Sequence, residues 1–131
     1  MKQEEKDLLL KDLCARLPYG VKVLVDNKHW IDFDGRTPSK LTFDNSYRLL
    51  YVGTDLGYVK PYLFPLSSMT EEQKKEFNTQ SLKLQLQVID EEIMYEKATE
   101  FEVDFYNKHH LDWRGLIPMG LAIDATGLNI Y

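Results

Sequence analysis

A single cysteine, Cys14, excludes both an intramolecular disulfide and a thiolate-built metal site. No oxidising compartment is implied, and cytoplasmic residence is the simplest expectation. Only 7 Gly and 5 Pro occur in 131 residues, which excludes collagen-like and low-complexity architectures. Apolar runs last a few residues, far short of the roughly 20 that a membrane-spanning helix needs, so no membrane association is expected. Residues 1–17 also lack the apolar core and small-residue cleavage site of an export signal. Basic charge is scarce: 16 Lys and Arg face 21 Asp and Glu, for a net charge of −5. That balance is a poor match to a phosphate backbone, and no nucleic-acid partner is expected.

What is present suits one globular domain spanning 1–131, with 44% hydrophobic and 28% charged residues. The acidity is local, since 5 basic and 11 acidic residues fall within 70–112. A cationic partner meeting that surface is favoured over a polyanion, beside the simpler reading of a solvated helical face.

Leu9, Leu10, Leu13, Cys14 and Leu17 recur at helical spacing and end at Pro18 and Gly20, which predicts an amphipathic helix over about 3–17. Cys14 falls on the apolar stripe and is expected to be a small core residue. From Gly20 the period changes to two, with Val21, Val23 and Val25 alternating, Asp26-Asn27 turning and His29 to Phe33 returning. Leu41 to Phe43 and Tyr47 to Val52 flank Asp44-Asn45-Ser46 as a second hairpin. Lys22 to Ile31 echoes Lys40 to Leu49 at an offset of 18, as two hairpins of one meander would. Gly53 to Gly57 lacks phosphate-loop and dinucleotide spacings and reads as a turn. Tyr58 to Leu66 carries two prolines, which argue for an extended connector and against a central strand.

Thr70 with Gln73 three residues on forms a capping box, so a helix begins at Glu71. Residues 82–93 fit strand alternation and helical stepping alike, with helix preferred. Thr99 caps a helix over 100–109, and Asp112 caps a short turn that ends by Pro118 and Gly120. The tail, Leu121 to Ile123 and Leu128 to Tyr131, adds a short strand. The expected fold is α+β: an N-terminal helix, an antiparallel β-meander over about 20–60, and a mainly helical second half packed on the sheet.

Reactive side chains concentrate at Asp104, His109, His110, Asp112 and Arg114. One imidazole and one or two carboxylates could bind a divalent ion, but adjacent histidines on a helix diverge by about 100° and differ from the i, i+4 pair of a zinc helix. The alternative is that they serve the helix end, with Asp112 as a cap. The carboxylate runs 71–72, 90–92 and 100–102 read as exposed helical charge. Trp30, Tyr47, Tyr51 and Tyr58 could form a stacking platform for bases, although no basic groove accompanies them and cross-strand packing is preferred. No cofactor is called for.

Three stretches carry a resemblance: Lys11 to Val21, Lys60 to Thr70, and His109 to Ile117 with Gly120 to Ala122. Together they resemble a family of small uncharacterised proteins common in gut Bacteroidales genomes and their phage-like or mobile elements. Phe64 stands where the family pattern has arginine, and Leu111 and Trp113 where it has Phe and Tyr. The resemblance implies a bacterial cytoplasmic accessory protein and supplies no established catalytic residues. The leading expectation is therefore a noncatalytic interaction or regulatory module of unknown partner and oligomeric state, binding through Tyr58, Tyr62 and Phe64. The competing expectation is a metal-assisted or acid–base hydrolase centred on His109-His110.

Overall fold

The computed structural model describes residues 2–26, 34–57, 59–87 and 91–131, with side chains described in those ranges except at 56 and 81–99. Helix α1 (Gln3–Arg16) forms where the leucine periodicity predicts it, and Glu4 and Glu5 favour the positive end of its dipole. Leu9 and Leu13 are fully buried, each contributing on the order of 2 kcal/mol of apolar burial. Pro18 enters a 3₁₀ turn (Leu17–Tyr19), and Gly20, at φ 67°, redirects the chain into β1 (Lys22–Val25). A Cβ there would lie 2.8 Å from Lys40 Cε, so the flexible end of that lysine would have to move aside.

The sheet is mixed. β2 (Ser39–Lys40) and β3 (Val59–Pro65) pair antiparallel with β1. β4 (Leu111–Asp112) and β5 (Ile123–Asp124) pair parallel with β3. Core side chains come from both layers: Leu9 and Leu13 of α1, Val23 and Val25 of β1, Leu49 and Leu50, Val59 and Leu63 of β3, and Leu116 and Leu121 of the closing loops. Helices α3 (Glu71–Gln87) and α4 (Glu91–Lys108) pack on each other, and α4 reaches β4 and α1. The class is α+β, with an N-terminal helix, a sheet and a mainly helical second half. No helix among the described residues is long and apolar enough to cross a membrane.

The interior of the meander differs from expectation. The predicted return strand, including His29 and Trp30, lies outside the described residues. Residues 47–52 form a π-helical turn (Tyr47–Val52) that runs into α2 (Gly53–Leu56), and no strand or second hairpin forms there. The cause is local: Thr42 N–H donates to Asn45 Oδ1 at 2.8 Å and Asn45 N–H to Thr42 Oγ1 at 3.4 Å. This reciprocal pairing, of the capping-box kind, starts a helix where alternation suggested a strand.

Residues 59–65 form the central strand and not a connector, despite Pro61 and Pro65. Leu63 C=O accepts from Ala125 N–H, and alternation puts Pro61 on the same edge, where β5 pairs only with Tyr62 and Leu63. The missing proline N–H thus costs no ladder bond to β1, and Pro65 closes the strand.

The capping box at the start of α3 is made, with Thr70 N–H donating to Gln73 Oε1 at 2.9 Å and Gln73 N–H to Thr70 Oγ1 at 3.1 Å. Of the segment 82–93, residues 82–87 and 91–93 are helical, as preferred, and 88–90 lie outside the described residues; α4 begins at Glu91, so Thr99 is an interior helical residue and not a cap.

Candidate functional site

The residues with most chemical potential meet where the C-terminal half of α1 passes β4. Asp12 and Arg16 are one helical turn apart on the buried face of α1, both with no solvent exposure. Arg16 Nε donates to Asp12 Oδ2 at 2.9 Å, and its Nη2 donates to Leu111 C=O at 2.6 Å. Arg114 Nε lies 3.5 Å from Asp12 Oδ1, and the Arg114 guanidinium rests 3.9 Å over the Trp113 ring. Trp113 Nε1 in turn donates to Asn107 Oδ1 at 3.0 Å. Burial pushes the Asp12 carboxyl above its ordinary range, against the opposing pull of Arg16 and Arg114. Arg114 is lowered, by burial first and then by Arg16, with Asp12 opposing.

Asp112 is a structural cap. Its Oδ1 accepts from Leu116 N–H at 2.8 Å and its Oδ2 from Ile117 N–H at 2.9 Å, so both oxygens are occupied by the turn they organise. The two histidines diverge. The His109 ring packs 4.6 Å from Phe105 with Nε2 3.6 Å from Glu76, and burial lowers its pKa despite that carboxylate. His110 adopts φ 58°, a left-handed conformation usual for glycine at a helix end, and lies flat on Tyr131 at 3.8 Å. Burial first, then Arg16, His109 and Lys22, hold its pKa down to about 4, so it is neutral at pH 7.

Tyr131 completes the junction. Its hydroxyl accepts from Lys22 N–H at 2.8 Å and donates to Tyr62 C=O at 2.7 Å, bridging β1 and β3. Burial of that hydroxyl pushes its pKa up to about 12. Asp104, the remaining predicted member, is exposed on α4 and apart from this network. Among the described residues no three His, Cys, Asp or Glu side chains converge in a way that could hold a metal ion.

The expected binding residues are redistributed. Tyr62 is buried, at 5% exposure, and Phe64 is half-buried with its ring 5.8 Å from Tyr131. Tyr58 lies outside the described residues. Cys14, expected in the core, is exposed, because one residue's helical step of about 100° carries it off the face defined by Leu9 and Leu13.

Two features escaped the sequence reading. One is the Asp12–Arg16 pair, whose i, i+4 spacing was the available signal. The other is an aromatic ridge: Phe43, Tyr47 and Tyr51 are 86%, 73% and 57% exposed, while Leu49 and Leu50 of the same turn are buried. The Tyr47 and Tyr51 rings are 5.7 Å apart. Once 47–52 is read as helical, the four-residue spacing of Tyr47 and Tyr51 brings their rings together, with Phe43 in the turn that precedes them. The base-stacking platform imagined on the sheet is not formed by Tyr47 and Tyr51, which belong to this helix.

No family model, curated protein or solved structure matches the chain. The three stretches that carry the resemblance noted above do meet in space: Arg16 bonds Leu111 C=O, and Phe64 N–H donates to His110 C=O at 2.8 Å. They build the junction of α1, β3 and β4.

Proposed function

We propose that this chain is a noncatalytic protein-interaction module, a bacterial accessory protein acting in the cytoplasm, that contacts its partner through the ridge of Phe43, Tyr47 and Tyr51. The observation that carries this reading is the exposure of Tyr47 and Tyr51, with rings 5.7 Å apart on a π-helical turn whose Leu49 and Leu50 are core, next to exposed Phe43 in the turn before it. Exposed aromatic surface of this kind, grouped and held on a packed helix, is what interface hot spots are made of. A π-helical turn, often found at functional sites, lies within the same segment. The remaining polar chemistry supports the reading in part: both Asp112 oxygens, Asp12 Oδ2 and Arg16 Nε and Nη2 are committed to the fold, while Asp12 Oδ1 and Arg16 Nη1 are buried without a hydrogen-bond partner. The resemblance carried by 11–21, 60–70 and 109–122 also supports an accessory role.

The test is site-specific photocrosslinking in the native host. Benzoylphenylalanine placed at 47 should form a defined adduct with another protein, placed at 43 or 51 the same adduct, and placed at exposed Lys11 none. The absence of an adduct from all three ridge positions, or an equal adduct from position 11, would remove the ridge as the contact site.

A further inference from the structure

A cleft of about 490 Å³ opens between α3 and α4, away from the buried polar junction, and the 3₁₀ turn contributes Tyr19 to its wall. Phe101, half-buried, and Phe105, almost fully buried, line its apolar floor, so Phe101 offers the accessible ring face. That floor is fixed from beneath by Phe77, whose ring lies 5.4 Å from Phe101 and 5.2 Å from Phe105. Glu76, Glu100 and Asp104 supply carboxylates at its rim. Glu76 is already engaged, 4.0 Å from Lys108 Nζ and 3.6 Å from His109 Nε2. Glu100 and Asp104 are one turn apart on α4, both exposed, and among the described residues neither has an ion-pair partner. Lys108 also lines the cleft, one turn beyond Asp104, so among the described residues three carboxylates there face one lysine.

We propose that this cleft recognises a basic peptide segment, seating an arginine or lysine side chain on the Phe101–Phe105 floor between the Glu100 and Asp104 carboxylates. A cation over aromatic faces and beside carboxylates gains from the ring quadrupoles and from charge pairing together, and the flat guanidinium of arginine stacks best. The volume lies in the range of small-ligand sites and is open to solvent, which leaves space for chain on either side of the seated side chain. Gln80, also in the lining, offers an amide that both donates and accepts, as a peptide backbone requires. The excess of acidic over basic residues in 70–112, 11 against 5, steers a cationic segment toward this face. The site is separate from the aromatic ridge, and it stands or falls independently of it.

The test uses the full chain, labelled with nitrogen-15 and titrated with a blocked pentapeptide bearing one central arginine among alanines. Saturable shifts are expected at the amides of 76–80 and 100–108. The citrulline analogue, which keeps the shape and lacks the charge, should bind at least about tenfold more weakly. A Glu100→Gln, Asp104→Asn double variant should lose affinity by a similar factor with an unchanged melting temperature, and Lys108→Gln should bind more tightly. The proposal is overturned if no saturable shift appears or if the citrulline peptide binds equally well. It is equally overturned if spermidine displaces the peptide while shifting amides across the whole acidic surface, since that outcome means diffuse counterion attraction only.

Discussion

At the junction of α1 and β4, Asp12, Arg16 and Asp112 lie buried with most of their polar atoms turned to one another and to backbone groups, and with Asp12 Oδ1 and Arg16 Nη1 left without a hydrogen-bond partner. Along the turn and π-helical segment over 43–51, Phe43, Tyr47 and Tyr51 stand in solvent with no comparable task in the fold. The first region contains the residue types from which active sites are made, yet it serves as a structural joint. The second contains no reactive group, yet it is the surface we propose for recognition. Residue chemistry alone therefore misleads in this molecule, and the deciding quantity is whether a side chain's bonding capacity is already taken up by the fold.

Removing a charge from the joint is the strongest way to break that contrast. Arg16→Ala leaves Asp12 buried with only Arg114 at 3.5 Å, and the expected loss is about 3 kcal/mol of unfolding free energy by urea titration. Replacing both partners with apolar residues, Asp12→Leu with Arg16→Met, should cost clearly less, because no uncompensated charge remains. A fully stable Arg16→Ala protein would show that the pair is not structural.

A smaller loss, about 1–2 kcal/mol, is expected for Asp112→Ala, which leaves the Leu116 and Ile117 amides without their acceptor. Asp112→Asn should recover part of it, since one amide oxygen still accepts. If alanine and asparagine are equally harmless, the carboxylate is free for other work and the cap assignment fails.

The histidine at the helix end gives a pH signature. His110 titrates near 4 in the fold and near the ordinary 6.5 in the unfolded chain, so the unfolded state binds more protons between those values. Its contribution is fully present above about pH 6.5 and is lost as the pH falls toward 4. His110→Asn tolerates the left-handed backbone and has no titrating group, so its melting temperature should fall less than the wild type's between pH 7 and 4.5. Parallel pH profiles would mean that His110 is not buried neutral.

Much of the helical frame was legible because its signals are local. The leucine spacing gives α1, and the Thr70–Gln73 box gives the start of α3. Asp112 was legible as a cap for the same reason. The centre of the fold was not. Tyr47 to Val52 carries strand-like residue types, and its helical state is decided by the side-chain pairing of Thr42 and Asn45, which alternation does not register. Pro61 argued against a central strand, and the argument failed because the partner on that edge, β5, pairs only beyond it. Tyr62 looked like an exposed aromatic only while its segment was taken for a connector. For the site, the histidines diverge past the end of α4, where His110 takes a left-handed φ of 58° that sequence adjacency does not register, and the burial of Asp12 and Arg16 depends on β4, which lies 95 residues beyond Arg16 at its bonded carbonyl.

The central claim is that the ridge serves recognition and not folding, and one variant tests it most directly. With Phe43→Ser, Tyr47→Ser and Tyr51→Ser combined, the fold should keep its unfolding free energy to within about 1 kcal/mol, because only exposed surface and one ring pair are removed. The partner crosslinked at position 47 should no longer be captured by this variant. A loss of several kcal/mol would show that the aromatics hold the structure together, and undiminished capture by a stable triple variant would place the contact elsewhere; either result contradicts the account.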